Sequence, residues 1–78
     1  MDTYIRVSSD AEGWTGEAVV AVLKRHHIGL GMNVSDWRDG VLSVNKRNWT
    51  EQLHADLEAT AGGKIKTREI GPIGYEPL

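Results

Sequence analysis

Met32-Asn33-Val34-Ser35-Asp36-Trp37-Arg38-Asp39-Gly40-Val41-Leu42-Ser43-Val44-Asn45 carries the clearest local signal in the chain. At its centre stands Asp39-Gly40, among the strongest short hairpin signals. A type I′ turn needs positive φ at both central residues, and Asp followed by Gly accepts that geometry. The stretch reads as two strands, Met32–Trp37 and Val41–Asn45, joined at Arg38-Asp39-Gly40. Met32 and Val34 are expected to share a face with Leu42 and Val44 of the partner strand.

Upstream, Tyr4-Ile5-Arg6-Val7 alternates polar and apolar residues, a short strand with Ile5 and Val7 on one side. Ser8 to Gly13 is a small polar loop. Thr15 is placed to cap a helix, with Trp14 before it as a hydrophobic staple on Val19. Val19, Val22, Leu23 and His26 then recur at helical spacing, leaving Glu17, Lys24 and Arg25 to solvent. Gly29 is the expected left-handed stop, with Lys24, Arg25, His26 and His27 at the negative end of the helix dipole.

Downstream, Asn48 is the expected cap of a second helix, answered by Glu51. Trp49, Leu53, Leu57 and Ala61 follow at i, i+4 spacing, and Gly62-Gly63 stops the run. Lys64 to Ile70 alternates again as a last strand. Residues 1–70 thus read as a single α+β domain and 71–78 as an extended tail. In that tail Ile73, Tyr75 and Leu78 either pack across the domain's own edge or add as a strand to a partner. Strand, helix, strand, strand, helix, strand is the order of a two-layer βαββαβ ferredoxin-like sandwich. Such a fold has a four-stranded antiparallel sheet, both helices on one face, and strand order 4-1-3-2.

Seventy-eight residues suit one domain with a modest core. Hydrophobic residues at 40% and charged residues at 26% are ordinary globular usage, which argues against a disordered or fibrous chain. No apolar run reaches the length of about 18 residues that a membrane span needs. The opening Met1-Asp2-Thr3-Tyr4 lacks the basic start and apolar stretch of a secretory signal, so a cytoplasmic protein is expected. Zero cysteines exclude disulfides and thiol catalysis. The net charge of −2 lowers the case for a dedicated duplex binder without removing it.

With Ile5, Val7, Met32, Val34, Leu42, Val44 and Ile65 turned to the helices, the alternation puts Tyr4, Arg6, Asn33, Ser35, Trp37, Val41, Ser43, Lys64, Lys66 and Arg68 on the uncovered face. Four of these are basic, two are aromatic and none is acidic. Tyr4, Arg6, Trp37, Lys64, Lys66 and Arg68 are therefore the candidate partner-binding residues. One reading is a face that docks a protein partner or a second copy of the chain, since Trp, Tyr and Arg dominate interface hot spots. Another is single-stranded nucleic acid, with Tyr4 and Trp37 stacking on bases and Arg6, Lys66 and Arg68 on phosphates. Against it, Val41, Ser43 and Asn45 stand on the third strand, where an RNA-recognition domain of this topology carries aromatics. A third reading is a merely solvated sheet face.

Other motifs yield little. His26 and His27 are adjacent on a helix and point about 100° apart, so they chelate one ion poorly, and His54 lies on the other helix. Gly29-Leu30-Gly31 and Gly62-Gly63-Lys64 follow helices, the reverse of a phosphate cradle. Asn33-Val34-Ser35 and Asn48-Trp49-Thr50 match the glycosylation sequon by chance. None of Ser8, Ser9, Ser35 or Ser43 sits at a nucleophile elbow, and Asp36 and Asp39 read as turn residues. No catalytic, metal or cofactor site and no small-molecule substrate is expected. The chain reads as a non-enzymatic binding module, of the type of a small bacterial or phage accessory protein that inhibits or modulates a larger one.

Overall fold

The computed structural model describes residues 3–31 and 33–71. In chain order it contains β1 (Tyr4–Ser8), α1 (Gly16–Arg25), β2 (Ser35–Arg38), β3 (Val41–Asn45), a short 3₁₀ turn (Lys46–Asn48), α2 (Glu51–Ala61) and β4 (Lys66–Ile70). The four strands form one antiparallel sheet in the order β2-β3-β1-β4, which makes this an α+β fold. The expectations for Met32 and for the 72–78 tail fall outside the described residues. Among the described residues no helix is long and apolar enough to cross a membrane.

A single apolar cluster holds the layers together. It joins Ile5, Val7, Leu42 and Val44 of the sheet to Val19, Val22 and Leu23 of α1 and Leu53, Leu57 and Ala61 of α2. Trp14, Ile28 and Ile65 close its margins. Removing such side chains from water supplies most of the favourable free energy of a domain this small.

The Asp-Gly turn forms as its chemistry requires, with Asp39 at φ 50° and Gly40 at φ 83°. A two-residue turn pairs Arg38 with Val41, and the register that follows sets Trp37 opposite Leu42 and Ser35 opposite Val44. Directly opposed residues share a face. Leu42 and Val44 are fully buried. Ser35 and Trp37 therefore lie on the helix-bearing side, contrary to their expected place on the uncovered face. Ser35 is 2% exposed and donates its hydroxyl to the Gly29 carbonyl at 2.7 Å. Trp37 packs against the core, its ring centroid 5.7 Å from that of Trp14. A Cβ on Gly16 would stand 2.9 Å from the Trp37 indole nitrogen, so the bare first turn of α1 is what admits the ring. Trp14 in turn donates its indole N–H to the Gly40 carbonyl at 2.8 Å, tying the hairpin tip to the entry of α1.

Several boundaries differ from expectation, among them the start of β4 at Lys66 rather than Lys64. β2 starts at Ser35, not residue 32, because Asn33 takes a left-handed conformation (φ 66°). Its carbonyl there accepts from Asn45 Nδ2 at 2.9 Å and Arg47 Nη2 at 3.1 Å. α1 ends at Arg25, with His27 rather than Gly29 in the left-handed position (φ 59°). Ile28 N–H reaches back to the Leu23 carbonyl at 2.9 Å and His27 N–H to that of Lys24 at 3.0 Å. This is a Schellman closure, with Ile28 and Leu23 both buried in the apolar cluster. Thr50, not Asn48, caps α2 by accepting from the Leu53 N–H at 3.0 Å. Asn48 instead completes the 3₁₀ turn that Asn45 caps.

Candidate docking face

The residues that alternate with the core-facing ones along the strands define the opposite face of the sheet. Its middle row runs Asp36, Ser43, Arg6, Arg68 across β2, β3, β1 and β4. On one side of that row lie Asn45, Tyr4 and Ile70, and on the other the pairs Arg38–Val41 and Ser8–Lys66. Asp36 and Arg38 take the places that Ser35 and Trp37 were expected to hold. The turn itself carried the signal: a two-residue loop with Leu42 inward forces Trp37 inward and Asp36 and Arg38 outward.

Of the six expected contact residues, the structure brings Tyr4, Arg6, Lys66 and Arg68 together on this face. Trp37 is on the other side. Lys64 is exposed but precedes β4, and its carbonyl accepts from Ser9 Oγ at 2.9 Å. Four cations, Arg6, Arg38, Lys66 and Arg68, therefore share the surface with the Asp36 carboxylate, on a chain whose net charge is −2. The charge is segregated, not spread.

Arg6 and Arg68 are direct cross-strand neighbours. Like charges so placed repel and destabilise a sheet. Among the described residues neither has a carboxylate within 4.0 Å, nor does Arg38; Lys66 approaches the exposed Asp10 at 3.8 Å. Arg6 Nε is shielded from solvent and has no hydrogen-bond partner among the described residues. Leaving such a donor unsatisfied costs of order 1–3 kcal/mol. An open depression of about 360 Å³ lies on this face, lined by Arg6, Asp36, Arg38, Asp39, Val41 and Ser43. A neighbouring one of about 350 Å³ is bordered by Tyr4, Asn33 and Asp36.

Two of the histidines, His26 and His54, are engaged away from this face. His26 meets Asp56 at 2.7 Å, bridging the end of α1 to α2. That hydrogen bond, joined by one from Gln52, holds the Asp56 carboxyl below its ordinary pKa. His54 lies 3.6 Å from Glu58, whose carboxylate accepts the Ile65 N–H at 3.0 Å. The Ile65 bond is the main cause of the lowered Glu58 pKa. Among the described residues no three His, Asp or Glu side chains gather as a metal-ligating group. Comparison of the chain with protein-family models, curated proteins and solved structures returned no match.

Proposed function

We propose that this chain is a non-enzymatic binding module whose uncovered sheet face docks an acidic surface of a protein partner. The layout behind that face we read as the ferredoxin-like βαββαβ sandwich with both helices on the other side. Strand order and the joint core of α1 and α2 support that layout. One observation carries the functional reading: Arg6 and Arg68 stand side by side, and among the described residues neither has a carboxylate within 4.0 Å. A sheet that keeps this arrangement forgoes stability, and an arriving carboxylate supplies what is missing.

Single-stranded nucleic acid is the second reading, favoured by the same cations. It is weakened because Trp37 packs beside Trp14 and leaves Tyr4 as the one expected stacking ring on the face. The test compares proteins retained from host lysate by the native chain and by Arg68→Glu, alongside labelled oligonucleotides at low salt. A protein held by the native chain and lost with the variant supports docking. An identical set on both chains overturns it, and salt-sensitive oligonucleotide binding lost in Arg68→Glu transfers the face to nucleic acid.

A further inference from the structure

We infer that the acidic partner segment binds as an extended strand on the outer edge of β4, which no other strand covers among the described residues. This inference rests on the docking reading above and adds the manner of docking. In an antiparallel ladder, successive residues turn their N–H and C=O groups to opposite sides. Ser35 exchanges bonds with Gly31 (2.9 and 3.2 Å), so its groups point away from β3, while Asn45 N–H turns to the Val34 carbonyl at 2.8 Å. Lys46 N–H, one residue on, turns the other way to the Thr3 carbonyl at 2.8 Å. Carried across the printed registers, this alternation directs Tyr4, Arg6 and Ser8 toward β4, and Lys66, Arg68 and Ile70 back toward β1. Thr67 and Glu69, both exposed, are left with their backbone groups facing outward.

The two edges of the sheet differ. On β2 the bridge from Gly31 already occupies Ser35, so that edge is partly closed. On β4 the outward N–H and C=O groups of Thr67 and Glu69 form a short template for another strand. Charge selects the occupant. A second copy laid antiparallel on this edge sets Arg68 against its own counterpart, Arg68 against Lys66, or Glu69 against its own counterpart, according to register. Each register opposes like charges. A segment with carboxylates at every second position instead places them beside Lys66 and Arg68 on the open face, with Arg6 in the next strand. Its intervening side chains lie beside Thr67 and Glu69, where Lys46 already pairs with Glu69 at 3.1 Å.

The experiment uses the full chain and an end-blocked eight-residue peptide alternating glutamate with valine, at low salt. Binding is followed by NMR, and amide hydrogen exchange is read residue by residue. Exchange at Thr67 and Glu69 is expected to slow on saturation, and Arg68→Glu to weaken the peptide about tenfold. A peptide that binds the face while Thr67 and Glu69 exchange as before overturns strand addition and leaves the docking reading standing. Absence of binding, or equal binding of a lysine–valine peptide, also overturns it. Concentration-dependent protection of Thr67 and Glu69 without peptide overturns it too, giving the edge to a second copy; the lysate comparison still judges the face by itself.

Discussion

His27 bears a Cβ yet sits in a left-handed conformation (φ 59°), which costs an L-residue roughly 1–2 kcal/mol relative to glycine. The position follows from Ile28, which is only 7% exposed and pins the chain one residue after the turn. His27→Gly is therefore expected to raise the midpoint of denaturant unfolding, by about 1 kcal/mol at unchanged slope. Gly13 behaves oppositely. A Cβ there would stand 2.5 Å from the Thr60 carbonyl oxygen and 2.6 Å from that of Ala61, backbone atoms that cannot swing aside. Gly13→Ala is expected to destabilise by roughly 1–3 kcal/mol in the same assay. Residue-level signals in the sequence were legible where one interaction acts alone, as at Thr15, whose hydroxyl accepts the Ala18 N–H at 3.2 Å. They misled where two acceptable residues competed. Packing of Ile28 chose His27 over Gly29, and the intervening 3₁₀ turn handed the α2 cap to Thr50.

Among the elements, the hairpin was the most legible and also the source of the largest correction. Its turn and the limits of β3 follow from Asp39-Gly40, but the face of β2 does not follow from counting apolar residues back to Met32. It follows from the turn's register, which puts Trp37 opposite Leu42. Trp37→Ala is accordingly expected to cost roughly 2–3 kcal/mol in thermal unfolding, below the 3–5 of a fully buried aromatic because the residue is only partly buried. Such a variant reports on the fold, not on docking. The two helices have their own polar tie in His26–Asp56, and Glu58 tethers the approach to β4 through Ile65. Both carboxyls have folded-state pKa values below their unfolded ones. Their contribution is therefore complete above the ordinary carboxylate range and is lost as pH falls through the lowered values. Unfolding midpoints measured from neutral pH down to below about pH 4 should decline, and Asp56→Asn with Glu58→Gln should flatten that decline.

For the whole molecule, sidedness of the sheet was legible because Ile5, Val7, Leu42 and Val44 alternate cleanly with polar residues. The cationic character of the other face was legible in Arg6, Lys66 and Arg68. Asp36 and Arg38 were not found, since their side depends on long-range register and not on their own type. What results is a sheet with its apolar side satisfied and Arg6 set against Arg68 on the other, a local conflict that the proposed partner would resolve. The central claim is that Arg68 is kept for an absent carboxylate and not for the stability of the free chain. Denaturant unfolding of Arg68→Glu tests this directly, because a glutamate at that position faces Arg6 as a cross-strand ion pair. The variant is expected to be more stable than the native chain by about 0.2–1 kcal/mol, at unchanged slope. A loss of stability would show that Arg68 already has its partner within the fold, and would contradict the account.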